Sequence, residues 1–291
     1  MDGSGEAATT EDWGPFGRPL FDDPSARALS RVGVVDVGSN SVRMVVFDGA
    51  ARSPAYFFNE KVMAGLGAGM AETGRLNPSG RDRALSAIKR FQLLAESMGI
   101  APLTAVATAA VREAEDGPEF REDVLRETGL RLFVIDGEEE ARLSAQGVLL
   151  GWPGAYGLVC DIGGSSMELA ELHDGRVGKC LSSKLGPQRL RTVSGGKKGL
   201  RKHLKTEVEK LADLMGPQPD RLFLVGGSWR AIDRNDMERR GYPLAVLHEY
   251  RMSRKAVQAT IEYIEASDIE DLRLRAGLCA GRMDLVPLAS Q

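Results

Sequence analysis

Cysteine, histidine and aromatic side chains are all scarce in this chain of 291 residues. The three cysteines, Cys160, Cys180 and Cys279, stand far apart with no paired spacing. That argues against a disulfide-stapled scaffold and fits a reducing cytoplasm. His173, His203 and His248 are equally scattered, so a zinc site built on His and Cys is not indicated. No apolar stretch approaches the length of a membrane span. The N-terminus lacks a basic segment followed by an apolar core, so a secretory signal is not expected. The net charge of −3 gives no global attraction to nucleic acid or to an anionic membrane, and neither is an expected partner. An acidic chain that binds a polyanion must do so through a local basic patch and a metal.

What is present suits a globular protein with a proper core: 43% hydrophobic and 27% charged residues, enough chain for two domains. Residues 1–30 are rich in Gly, Ala, Thr, Asp and Pro and read as a disordered leader. The organising stretch follows. Val32–Asp48 is a β-branched run into Asp36, a turn of Gly38, Ser39, Asn40 and Ser41, and a second apolar run. It predicts a hairpin whose tip exposes backbone N–H groups and hydroxyls, with a carboxylate beside it.

A third strand is expected over residues 55–62. The Gly-rich stretch Ala64–Met70 only faintly matches a dinucleotide fingerprint and lacks its full spacing. Asn77-Pro78 starts a helix whose apolar face carries Leu85, Ile88, Phe91, Ala95 and Met98. Leu103–Ala107 is a short buried strand leading into Thr108–Arg112. Phe120–Thr128 is a helix stopped by Gly129, and Leu130–Ile135 a strand. Asp136 and Glu139 then have capping-box spacing and open a helix that carries Glu140 and runs to about Leu150.

At Gly157 the opening pattern returns. Asp161 answers Asp36, Gly163 answers Gly38 and Ser166 answers Ser41, each 125 residues on, which indicates a duplicated domain. A basic run from Arg189 to Lys205 surrounds a Ser-Gly-Gly loop. It is either a solvated helix face or a hold for a long polyanion. Leu222–Val225 is a strand running into Gly226, Gly227 and Ser228, a third turn of the same kind, with Trp229 beginning a helix. Ser253–Glu265 is an amphipathic helix with Val257, Ile261 and Ile264 inward, and the chain ends just past a short strand at Leu285–Leu288.

Three strand ends with Gly and Ser turns form concave anion sites that suit phosphate oxygens. Asp36 and Asp161 suit Mg²⁺, which takes few carboxylates and completes its shell with water and phosphate. Phosphoryl transfer asks mainly for positioning and charge neutralisation, so little is missing from this inventory. Glu140 is the candidate for orienting water. A helix N-terminus favours its ionised form, so a low pKa is expected. Glu138, Glu139 and Glu140 also fit as plain helix-start carboxylates, and spacing alone favours that reading. Arg112 is the candidate cation for the transferring phosphoryl, or else a surface ion pair. Glu168 assists metal or water, or points at solvent.

The motifs together resemble the exopolyphosphatase / guanosine pentaphosphate phosphohydrolase family. The matching stretches are Asp36-Val-Gly-Ser-Asn-Ser-Val-Arg43, Ala107-Thr-Ala-Ala-Val-Arg-Glu-Ala114, Gly137-Glu-Glu-Glu-Ala-Arg142, Asp161-Ile-Gly-Gly-Ser-Ser-Met-Glu168 and Gly226-Gly-Ser228. The resemblance covers roughly residues 31–287. It implies an α/β fold of two duplicated actin-like ATPase (ribonuclease H-like) domains, each with a five-stranded sheet, and a cleft between them. The expected division is a leader over 1–30, an N-terminal domain over 31–150 and a C-terminal domain over 151–291.

The implied activity is that of a phosphoric anhydride hydrolase releasing terminal orthophosphate from inorganic polyphosphate with Mg²⁺. Guanosine pentaphosphate (pppGpp) is the alternative substrate, and a homodimer is an expected assembly. Carried onto matching positions, Glu140 acts on the attacking water, Arg112 is the motif arginine and Glu168 closes the second motif that Asp161 opens. Gly38, Ser39, Asn40 and Ser41 form one phosphate loop, and Gly163, Gly164, Ser165 and Ser166 the other. Asp36, Asp161 and Glu168 form the expected metal set.

Two departures stand out. Ser165 replaces a Gly of the family's usual second loop and Met167 a Thr. Ser165 must then fit a geometry often reserved for Gly, with weaker activity or a re-aimed loop as the expected effect. The chain also stops near where a last helix of the second domain would begin, as a naturally short or a truncated member would. Two other classes remain open: a kinase-like phosphotransferase with an adenosine pocket near Gly226–Ser228, and a non-catalytic binder of polyphosphate or alarmone.

Overall fold

The computed structural model describes residues 31–48, 56–100, 103–244, 246–268 and 272. The expected leader and the strand before Leu285 lie outside the described residues. The opening hairpin is present as β1 (Arg31–Val37) and β2 (Val42–Asp48), antiparallel with Asp36 opposite Arg43 and Val37 opposite Val42. β3 (Tyr56–Val62) adds to β2. On the other side β1 pairs in parallel with β4 (Leu103–Ala107), which pairs with β5 (Leu132–Val134), giving the order β3-β2-β1-β4-β5. Alternation puts Val35, Val37, Val42, Met44 and Val46 into the core, against Ile88 and Phe91 of helix α2 (Pro78–Ser97). Asn77 caps α2, its side chain accepting from the Gly80 N–H, with Pro78 in the first turn as expected.

The same construction follows in the second half. β6 (Gly157–Ile162) and β7 (Met167–His173) pair with Asp161 opposite Glu168, the register of Asp36 and Arg43 moved by 125 residues. β8 (Arg176–Ser183), missed in the sequence, adds to β7, and β9 (Leu222–Val225) pairs in parallel with β6. Even the register shift recurs, between Val46 and Phe47 in one unit and between Ala170 and Leu172 in the other. The second sheet, β8-β7-β6-β9, has four strands among the described residues against the five implied. The duplication inferred from sequence spacing is thus a duplication of topology, and the expected α/β class with two related sheets is borne out.

Two helices lie between β4 and β5, and a third leads to the second unit. α3 (Ala109–Glu113) follows β4, α4 (Gly117–Thr128) packs beside α2, and α5 (Gly137–Gly151) links the sheets. α5 does not pack with the first sheet. Ala141 and Ala145 are buried with Val159, Ala170 and Leu172 of β6 and β7. α5 therefore packs with the second sheet although it precedes residue 150 in the chain. The opposite face of that sheet is covered by α7 (Gly196–Met215), through Leu200, Leu204, Leu211 and Met215. The chain continues through α8 (Gly227–Arg239) and α9 (Arg254–Ala266), the latter capped by Ser253. Among the described residues no helix is long and apolar enough to cross a membrane.

Candidate active site

The two hairpin tips meet. Ser39 Oγ and Ser165 Oγ are 2.6 Å apart, both side chains buried, so the first turn of one unit touches the second turn of the other. Each turn is braced from behind. The Ser39 and Asn40 carbonyls accept from the N–H groups of Gly67 and Gly65, in the Gly-rich stretch after β3. The Gly164 carbonyl accepts from Gln188 N–H, in the short helix α6 (Pro187–Leu190). This is the role of the stretch that faintly resembled a dinucleotide fingerprint: it buttresses a turn.

Two expected phosphate donors are corrected by this geometry. Gly38 N–H donates to the Ser41 carbonyl at 3.0 Å, and Gly163 N–H to the Ser166 carbonyl at 3.1 Å. Both amides close their own hairpins, so the tips between them carry the remaining turn residues. Ser165 does not need the geometry reserved for glycine, since among the described residues only Asp174 and Glu249 are non-glycines with positive φ. Glycine matters instead at Gly164, where a Cβ would come within 3.0 Å of Ser39 Cβ. At Gly226 φ is +99°, and a Cβ would lie 2.5 Å from Asp161 Oδ1. The third turn can therefore approach the Asp161 carboxylate only because residue 226 has no side chain.

Asp36, Asp161, Glu140 and Glu168 act on one another electrostatically. Asp36 is open to the cleft by surface, but the protein around it dominates its titration. Its carboxyl is pushed up to about 6, first by desolvation and then by Asp161, against Arg43 and Lys61. Asp161 is also raised by desolvation, opposed by a hydrogen bond from Ser144 and by Arg230. Its Oδ2 accepts from Ser144 Oγ at 2.6 Å.

Asp136 caps α5 as expected, accepting from Glu139 N–H at 2.8 Å, and this sets which of the three following glutamates turns inward. Glu138 is exposed and Glu139 pairs with Arg142, whereas Glu140 is only 18% exposed and meets Arg112. Arg112 sits in the last turn of α3. Its Nη1 donates to the Ile135 carbonyl at 2.8 Å and to Glu140 Oε2 at 3.3 Å. Arg112 is thus not a surface ion pair.

The low pKa expected for Glu140 is overturned. Desolvation raises it, Arg112 only partly opposes, and Asp161 and Asp36 add to the rise. Burial outweighs the helix terminus because the ionised form loses its water. Glu168 does not point at solvent. It is 2% exposed, accepts from Ser182 Oγ at 3.0 Å, and is raised by desolvation and by Glu140. Ionisation of Glu140 therefore disfavours ionisation of Glu168.

Ser144 and Ser182 were missed in the sequence. Ser144 lies one helical turn after Glu140, a spacing that places both on one face, but a serine at that position carries no chemical signature of its own. Ser182 was hidden with β8.

Among the described residues no three acidic, His or Cys side chains converge as a ready-made metal cage. Asp36, Asp161 and Glu168 are therefore not a preformed set of three ligands. The donor chemistry still fits a hard divalent cation: facing carboxylates raise one another, and such an ion is commonly held by one or two carboxylates plus substrate oxygens. A groove of about 500 Å³ opens beside Arg112, bounded by Gly137 at the start of α5 and by Ser182 and Lys184 at the end of β8. Arg189 of α6 spans the units and pairs with Glu113. Lys197, Lys198, Arg201 and Lys202 of the basic run lie exposed on the first turns of α7.

The family model of the Ppx/GppA phosphatases matches residues 45–287. The chain belongs to that family. Among Ppx/GppA relatives, "Exopolyphosphatase 1" of Mycobacterium tuberculosis is 37% identical over 163 residues, 55% of this chain and 47% of that protein. The chain spans about half the length of the curated relatives it matches. The crystal structure of an exopolyphosphatase from Cytophaga hutchinsonii superposes with a TM-score of 0.79 at 24% identity, over 90% of this chain and 88% of that one. An Aquifex aeolicus Ppx/GppA family member gives 0.71 at 24%, over 89% and 87%. These structures share the Ppx/GppA fold with this chain.

Proposed function

We propose that the protein is a divalent-cation-dependent exopolyphosphatase that hydrolyses the terminal anhydride of inorganic polyphosphate and releases orthophosphate. The observation that carries this reading is the position of Glu140. It stands beside Arg112 and acts electrostatically on Asp36, Asp161 and Glu168, near turns whose tips meet at Ser39 and Ser165. Family membership and the M. tuberculosis relative named exopolyphosphatase support the same substrate class.

In this reading the tips of the two turns and the third turn at Gly226, Gly227 and Ser228 hold phosphate oxygens through N–H and O–H groups. Arg112 gives a bidentate hold on the terminal phosphoryl. Glu140 accepts a hydrogen bond from water and takes its proton as the new P–O bond forms and the bridging P–O bond of the anhydride breaks, the shortened polyphosphate leaving with the electron pair. Its raised pKa brings it toward the neutral range where a general base is most effective. Mg²⁺ held by Asp36 and Asp161 would supply charge neutralisation on the phosphate oxygens. Glu168, hydrogen-bonded by Ser182, is itself raised by desolvation and by the charge of Glu140, so it sits beside the base as a carboxyl that resists ionisation.

Phosphate release from polyphosphate and from pppGpp, measured side by side with and without Mg²⁺, tests the proposal. Release from polyphosphate that depends on Mg²⁺ is expected. Release from pppGpp alone would turn the reading to the guanosine pentaphosphate phosphohydrolase. Binding without turnover on either substrate would favour a non-catalytic binder.

A further inference from the structure

A serine in the middle of a helix ordinarily turns its hydroxyl to solvent or back to a carbonyl of the preceding turn. Ser144 does otherwise. From the second turn of α5 its Oγ reaches out of the helix to Asp161 Oδ2, 2.6 Å away at the end of β6. The other oxygen of the same carboxylate, Oδ1, faces the third turn, where a Cβ at residue 226 would lie 2.5 Å from it. Asp161 therefore has a hydroxyl of α5 bonded to one oxygen and the bare backbone of Gly226 close to the other.

The helix that supplies the hydroxyl is the one that carries Glu140, four residues earlier and so on the same face. Glu140 and Asp161 repel when both are ionised. Two like charges on separate elements would rotate apart unless one is tied. Ala141 and Ala145 fix α5 to the second sheet, and the hydroxyl of Ser144 ties the carboxylate to α5. We propose that Ser144 is a positioning residue: it fixes the orientation of the Asp161 carboxylate relative to Glu140, so that Asp161 presents a divalent-cation ligand at a set distance from the water-orienting group. No proton moves in this role. The hydroxyl donates a hydrogen bond, and its loss leaves Asp161 free to turn.

The inference rests on the function proposed above, and its test keeps the two apart. Ser144→Ala and Ser144→Thr are made in the full chain, Thr retaining the hydroxyl. Binding of Mn²⁺ without substrate is measured by electron paramagnetic resonance, and phosphate release from polyphosphate is measured with Mg²⁺. Partners that orient a metal ligand change affinity or activity by roughly tenfold or more, so Ser144→Ala is expected to weaken Mn²⁺ by about that factor. Its kcat is expected to fall while KM for polyphosphate changes little, and Ser144→Thr is expected to recover most of both. If wild type releases no phosphate from polyphosphate, the functional reading fails, and the Mn²⁺ comparison still decides the role of Ser144. The same Mn²⁺ affinity in wild type and Ser144→Ala, whether measurable in both or in neither, overturns the proposal. So does a loss that Thr fails to rescue.

Discussion

Ser39 Oγ and Ser165 Oγ share a hydrogen bond of 2.6 Å that joins the hairpin turns of the two duplicated units. Both side chains are buried, so each hydroxyl depends on the other for its partner. Removing one should leave the other unsatisfied, at about 1–3 kcal/mol, whereas removing both should cost less than the sum. A double-mutant cycle with Ser39→Ala and Ser165→Ala, read by denaturant unfolding, should give a coupling of about 1 kcal/mol. Additive losses would show that the turns do not support each other in solution.

The titration of Glu168 yields a signed expectation for stability. Its carboxyl is raised from 4.5 to about 8, so the folded chain holds that proton more tightly than the unfolded chain does. The contribution of Glu168 to stability should therefore fall as pH rises through that window, and be constant below and above it. Glu168→Gln keeps the shape and an oxygen to accept from Ser182 but removes the charge. Melting temperatures at pH 5 and pH 8 should show the variant gaining on wild type at the higher pH. A melting temperature of the variant minus that of wild type that stays constant or falls from pH 5 to pH 8 would contradict the placement of Glu168 in a desolvated carboxylate cluster.

The basic run divides into two roles. Arg189 is committed to Glu113 across the units, while Lys197, Lys198, Arg201 and Lys202 lie exposed on α7. A long polyanion gains from cations beyond the reacting end, and a short one does not reach them. Neutralising those four residues together should raise KM for long polyphosphate more than for short. An equal change for both lengths would reduce the α7 face to ordinary surface.

Much of this architecture could be read from residue pattern because the chain states it twice. Asp, Gly and Ser recur at one offset, and the pairings of Asp36 with Arg43 and Asp161 with Glu168 follow from that spacing. Asn77, Asp136 and Ser253 marked helix starts by side-chain capping, which is a local signal. What could not be read locally depends on tertiary environment. Glu140 has the signature of a helix-start carboxylate, and only its burial, with Asp161 and Asp36 nearby, reverses the direction of its pKa against the pull of Arg112. β8 escaped notice because its outward positions are polar and Gly178 interrupts its pattern. The side on which α5 packs was set by Ala141 and Ala145, whose small apolar faces do not announce a partner. The amides of Gly38 and Gly163 looked available for phosphate until the hairpins were closed.

In the proposed mechanism Glu140 orients and deprotonates water against a phosphoryl group held beside Arg112. Glu140→Gln keeps the side-chain length and the oxygen that faces Arg112 but removes the base. Steady-state phosphate release from polyphosphate is the direct test, with substrate binding checked on the same preparation. General-base assistance contributes typically 10²–10⁴-fold, so kcat should fall by about 10² or more with binding retained. Release from Glu140→Gln at the wild-type rate would contradict the account.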